Sequence, residues 1–196
     1  MLKYLVFFGM LVSLLGTISY IRHIIKGKVK PNRVTWFIWA AAPLIASAAA
    51  LSDGVGLAVL PVFIAGFFPL IVFVIAIFVK DAFWKLSKFD IVCGILSVLA
   101  LVLWYVTKQP EVAIAISLLS DFLAALPTVI KSWKYPETEA SFAYITGTIN
   151  AATSFAAIEV WNFSSVAFPV YIIVLSLVII LFIERPRLTG FCNKSI

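Results

Sequence analysis

Asp121 stands apart from the other acidic residues of the chain. There are nine Asp and Glu in all, and eight of them fall in polar breaks or at the ends of apolar runs. Asp121 lies near the middle of one, in the stretch Glu-Val-Ala-Ile-Ala-Ile-Ser-Leu-Leu-Ser-Asp-Phe-Leu-Ala-Ala-Leu (111–126). A carboxylate at that depth in an apolar helix costs about 3 kcal/mol on insertion scales, so it faces a cavity or a partner. Ser117, Ala124, Ala125 and Thr128 fall on its helical face. That narrow face suits close helix packing or a water path. Asp121 is the candidate substrate ligand and also the proton-coupling candidate. A carboxyl group that meets water on alternate sides of a membrane can release a proton on one side and rebind one on the other. The competing role is a structural hydrogen bond to a neighbouring helix.

Two further groups carry chemistry. Thr146, Asn150, Thr153 and Ser154 share a face of another apolar run. Asn150 is central there and offers both donors and acceptors, although small polar residues also serve as interhelical hydrogen bonds. Trp36 and Trp39 open a third run, with Pro43 and Ser47 further along the stripe. An indole wall gives an apolar, stackable platform for a ring-shaped solute. Trp36 also suits the membrane interface, and Trp39 sits one turn deeper. The expected substrate-binding set is therefore Asp121, Asn150, Trp39, Trp36, Thr146 and Ser154. Pro127 and Pro43 interrupt helical hydrogen bonding and are candidate hinges.

Other chemistries find no support. No Ser/His/Asp arrangement or phosphate-binding glycine loop occurs, and Cys93, Cys192 and the single His23 form no metal pattern. An enzyme, a cofactor or a metal is not expected.

The elements that hold these residues are apolar. The chain is 63% hydrophobic and 12% charged, with a mean hydropathy of +1.12. Water-soluble domains are roughly half apolar and a quarter charged. Seven runs approach the 20 or so residues that cross a bilayer: 4–22, 34–51, 57–79, 89–107, 111–131, 140–159 and 165–184. The expected class is all-α integral membrane, and the lipid bilayer is the first partner.

Basic residues give an orientation. Lys3 and Lys108 fall on one side of the alternating runs, and the other 13 Lys and Arg fall on the opposite side. Basic short loops mark the cytoplasm, so the N-terminus is expected outside and the C-terminus inside. The net charge of +6 is thereby absorbed by topology, and no nucleic-acid partner is implied. Trp84 and Trp133 then fall at the inner interface, with Trp104, Tyr105 and Trp161 at the outer one.

The chain also repeats itself. At an offset of 105, Lys26 meets Lys131, Pro31 meets Pro136, Phe37 meets Phe142 and Trp39 meets Tyr144. Leu-Pro-Val-Phe-Ile (60–64) echoes Phe-Pro-Val-Tyr-Ile (168–172) at an offset of 108. Helices one to three thus repeat as five to seven, and an odd linker helix keeps the two units parallel, a plan known in transporters. The expected division is 1–79 and 111–184 as three-helix repeats, 80–110 as the linker and 185–196 as a tail.

The segment 126–141, Leu-Pro-Thr-Val-Ile-Lys-Ser-Trp-Lys-Tyr-Pro-Glu-Thr-Glu-Ala-Ser, resembles the end of the first helix of a SWEET or PQ-loop repeat. Pro127-Thr128 correspond to its Pro-Thr/Gln pair, Lys131 and Lys134 to its basic stretch, and Thr138-Glu139 to its Thr-Glu. The three-plus-one-plus-three plan and the N-out, C-in orientation are those of full-length SWEET transporters. In the first repeat Arg22-His23 stand in place of the Pro-Thr pair. Pro61-Val62 and Pro169-Val170 stand where SWEETs carry a sugar-binding Pro-Asn. The resemblance therefore speaks for the fold more than for sugar, since vitamin transporters and amino-acid exporters share it. It implies alternating-access movement of a small polar solute (sugar, vitamin or amino acid), passive or proton-coupled, and leaves a homo-oligomer open. The competing expectation is a non-transporting membrane receptor or assembly protein on the same fold.

Overall fold

The computed structural model describes residues 2–79, 84–85, 87–107 and 110–188. Among them seven α-helices form and no strand: α1 (Leu5–Ile25), α2 (Arg33–Ser52), α3 (Leu60–Phe78), α4 (Lys88–Thr107), α5 (Pro110–Lys134), α6 (Ser141–Thr153) and α7 (Phe163–Leu188). Each of the seven apolar runs carries one helix. Lys80, Lys108, Cys192 and Lys194 lie outside the described residues, as do the side chains of Trp104, Tyr105 and Arg187.

Five stretches are long and apolar enough to cross a membrane: Leu2–Ile25, Arg33–Ser52, Leu57–Phe78, Ile114–Lys134 and Phe163–Pro186. α6 is shorter, 13 residues continued by a 3-10 turn over Ser154–Ala156. Large apolar side chains project outward, among them Leu15 (60% exposed), Phe78 (79%) and Leu181 (57%). Such a surface suits lipid.

The helix ends follow from local sequence. Asn32 caps α2, its Oδ1 accepting from Val34 N (3.0 Å) and Thr35 N (3.3 Å). Ser87 and Asp90 form a reciprocal capping box at α4, with Ser87 N donating to Asp90 Oδ2 (2.6 Å) and Asp90 N to Ser87 Oγ (3.2 Å). α1 and α2 both end in a glycine in the left-handed region, Gly27 (φ 66°) and Gly54 (φ 82°). In each, the two amides after the cap turn back to the last helical carbonyls: Gly27 N to Ile24 O and Lys28 N to His23 O, then Gly54 N to Leu51 O and Val55 N to Ala50 O.

α3 packs against both α1 and α2, and α7 packs against both α5 and α6. α1 lies along α6, α2 lies along α5, and α4 rests on α5 and touches α2. The α1–α6 seam is close because α1 presents glycines to it. A Cβ on Gly16 would overlap the Thr146 side chain, and one on Gly9 would come within 3.1 Å of Asn150 Cα. Thr35 Oγ1 in α2 donates to Ala124 O in α5 (2.8 Å) and accepts from Thr128 Oγ1 (3.1 Å). This bond lies one turn before Pro127, which supplies no amide proton to the ladder.

Apolar packing gathers at two levels. One cluster joins Tyr20, Ile24, Trp36, Trp39, Tyr144 and Ile179 with their neighbours, near the connections 26–32 and 135–140. The other joins Ala46, Ala49, Ala50, Val59, Val62, Ile114 and Phe168 toward the opposite end.

Gly16→Leu should cost about 2 kcal/mol or more through overpacking of the α1–α6 seam. Gly147→Ala, whose new Cβ meets nothing within 4 Å, should be neutral or stabilising. Unfolding titrations in mixed micelles read both, and equal stability of the two variants would contradict the seam.

Candidate functional site

Between the two apolar clusters lies a cavity of about 110 Å³. α1, α2, α3, α5, α6 and α7 all contribute to its wall. Asp121, Trp36, Trp39 and Pro43 line it, with Tyr20, Tyr144, Phe68 and Phe168 as its other rings. Asp121 is 3% exposed. Its Oδ2 accepts the Tyr171 hydroxyl at 2.7 Å, which ties α5 to α7. The Trp39 indole lies near Asp121, yet its Nε1 has no partner at hydrogen-bond geometry, and neither has Trp36 Nε1. The rings form a chain: Tyr20 to Trp36 at 4.7 Å, Trp36 edge-on to Trp39 at 5.4 Å, and Trp39 edge-on to Tyr144 at 6.1 Å. Trp39 and Tyr144 are the residues that the offset of 105 pairs, and their rings touch.

One end of the cavity is closed by charge. Lys131 Nζ and Glu139 Oε1 are 2.5 Å apart, with side chains 1% and 0% exposed. Glu139 Oε2 accepts the hydroxyls of Tyr20 (2.8 Å) and Tyr144 (3.2 Å). Lys131 Nζ also donates to Lys30 O (2.6 Å) and lies 5.3 Å from the Trp84 ring. Lys30 N donates to Thr138 O (3.2 Å), and Trp84 N donates to Pro31 O (3.1 Å). The connections after α1, α3 and α5 thus converge on one ion pair. A buried pair repays its desolvation only when its remaining donors and acceptors are met; here two tyrosine hydroxyls meet Oε2 and the Lys30 carbonyl meets one ammonium proton, while Oε1 has the ion pair alone.

The expected site residues therefore separate. Asp121, Trp39, Trp36 and Pro43 come together at the cavity. Asn150, Thr146 and Ser154 do not line it. Asn150 Nδ2 donates to Pro61 O in α3 (2.8 Å). Thr146 donates to Ala143 O (2.9 Å) and faces Gly16. Ser154 is fully buried at the end of α6. The expected meeting of Asp121 with Asn150 thus gives way to a packing stripe: α6 spends its small polar face on α1 and α3, where lipid cannot reach it. Pro127 stands inside α5, which continues through it to Lys134.

The Lys131–Glu139–Tyr20–Tyr144 cluster was not legible as a site. Charge counting places Lys131 among solvated loop cations and Glu139 in a polar break. The available signal was the turn Tyr-Pro-Glu-Thr (135–138), which reverses the chain and carries Glu139 back beside Lys131. Comparison with protein-family models, with curated proteins and with solved structures finds no match.

Glu139→Gln leaves the Lys131 ammonium buried without its counter-charge and should cost about 3–5 kcal/mol of stability. Lys131→Met with Glu139→Leu removes both charges and should recover most of that loss. A double-mutant cycle read by unfolding in mixed micelles checks this, and additive losses would contradict a coupled pair.

Proposed function

We propose that this chain is a membrane transporter of the SWEET and PQ-loop kind, moving a small polar solute by alternating access about the cavity at Asp121. The observation that carries the reading is the cavity itself. It sits at mid-depth between helices of both halves, with a polar closure at one end and small apolar side chains at the other.

The helix pairings support a three-plus-one-plus-three plan. Exchanging helices one to three with five to seven turns the α2–α3 contact into α6–α7, α1–α3 into α5–α7, and α1–α6 into α5–α2. All six are contacts in the fold. A pseudo-two-fold axis along the membrane normal makes this pattern, with α4 as the linker. The two halves would rock about the axis. Opening the charged end would separate Glu139 from Tyr20 of α1, and opening the other would part the alanine-rich packing of α2 and α3 from Ile114 and Phe168.

In this reading the charged end faces the cytoplasm, following the uneven distribution of basic residues. Asp121 supplies charge, and Trp36 and Trp39 supply an apolar platform. Pro43 and Pro127 are the hinges. Asp121 also remains the site through which solute movement would couple to protons.

Thr17 in α1 lines the cavity. In a background with Cys93 and Cys192 replaced, Thr17→Cys in oriented proteoliposomes should react with a membrane-impermeant maleimide from both faces. Ser52→Cys should react only from outside and Lys28→Cys only from inside. Modification of Thr17→Cys from one face alone, with or without solutes, would contradict alternating access and favour a receptor.

A further inference from the structure

The cavity is unbalanced in charge. Asp121 is the one acidic residue lining it, and no Lys, Arg or His lines it among the described residues. The Asp121 carboxylate accepts a neutral donor, the Tyr171 hydroxyl. Lys131, the basic residue at the closed end, is committed to Glu139 at 2.5 Å and to Lys30 O. Six aromatic rings share the remaining wall with aliphatic and small side chains, and Trp39 lies near Asp121 and edge-on to Trp36 and Tyr144. Ring faces attract cations, most strongly when desolvated and most strongly at tryptophan.

We infer that this cavity binds a small organic monocation: an amine or quaternary ammonium with an apolar or hydroxylated body and no carboxylate of its own. The inference rests on reading the cavity as a solute site and names the solute's chemical class. A cation supplies the counter-charge that Asp121 otherwise lacks, and its alkyl surface meets the rings. A zwitterion would bury a second carboxylate with no cationic group lining the cavity to receive it. A sugar would set many hydroxyls against an apolar wall, and of the five hydroxyl residues lining it, Thr17 already donates to Ser13 O (2.9 Å) and Tyr20 and Tyr144 to Glu139. The size agrees: an apolar protein cavity of roughly 150 Å³ holds benzene, and this one measures about 110 Å³, room for a tetramethylammonium-sized head group.

The test is binding, measured without transport. The purified full chain in nanodiscs is titrated by tryptophan fluorescence with tetramethylammonium, choline, 3,3-dimethylbutan-1-ol (choline with carbon in place of nitrogen) and glycine betaine. Both cations should give saturable binding. The uncharged alcohol and the zwitterion should each bind at least about tenfold more weakly than choline. Asp121→Asn should weaken choline by at least about tenfold and leave the alcohol unchanged. Trp39→Leu should weaken choline more than Trp39→Phe. The inference is overturned if the alcohol or the betaine binds as tightly as choline, if neither cation binds, or if Asp121→Asn binds choline as well as the unmodified chain. The ligand series on the unmodified chain decides the matter even where a variant fails to fold. Uptake of a sugar or amino acid into liposomes with no cation binding would sink this inference and leave the transport reading standing. Cation binding without any uptake would do the reverse.

Discussion

The salt bridge between Lys131 and Glu139 organises one whole end of this molecule. Both side chains are withdrawn from solvent, and two charges so placed tolerate no loose geometry, because each unmet lone pair or proton retains its desolvation cost. The surroundings answer that demand group by group. Tyr20 comes from α1, Tyr144 from α6, Lys30 O from the connection before α2, and Trp84 from the stretch after α3. Helices distant in sequence are held together by one interaction, and the aromatic chain that floors the cavity is seated on it.

The two ends of the cavity are consequently closed by different physics. At the opposite end, alanines of α2, with Val62 of α3 and Val59 just before it, pack against Ile114 and Phe168. That closure is dispersion and small-residue fit, and parting it would expose modest apolar area. Parting the charged end takes the Tyr20 hydroxyl and the Lys30 carbonyl away from the Lys131–Glu139 pair, and water must replace both. Glu139 also bonds Tyr20 across the α1–α6 seam, where Gly16 and Thr146 already hold the backbones close.

Much of the fold was legible because lipid imposes a coarse rule. Backbone groups must be satisfied within the segment, so an apolar run of bilayer length tends to a helix; each of the seven runs carries one, although α6 fills only 141–153 of its run. Turn chemistry was equally local, as Gly27 and Gly54 show. The internal repeat pairs Trp39 with Tyr144 by position only; that their rings meet at 6.1 Å came from the fold. Sites were harder. Asp121 and Trp39 announced themselves by residue type and depth, and they meet at the cavity. Asn150 had the same credentials but bonds Pro61 O instead, because periodicity names a face without saying which neighbour it meets. Glu139 failed in the opposite sense, since a carboxylate five residues past the end of a helix looks solvated until the turn that buries it is built.

The charged closure can be watched directly. Spin labels at Lys26 and Glu137, both exposed and set in the connections on either side of it, report the separation of the α1 and α6 ends by pulsed electron resonance in nanodiscs. A latch of this kind predicts a short distance that dominates in the unmodified chain and a second, longer population that grows in Glu139→Gln. A single unchanged distance in both proteins, with and without solute, would mean that this end does not open, and a transporter gated by the Lys131–Glu139 pair would be excluded.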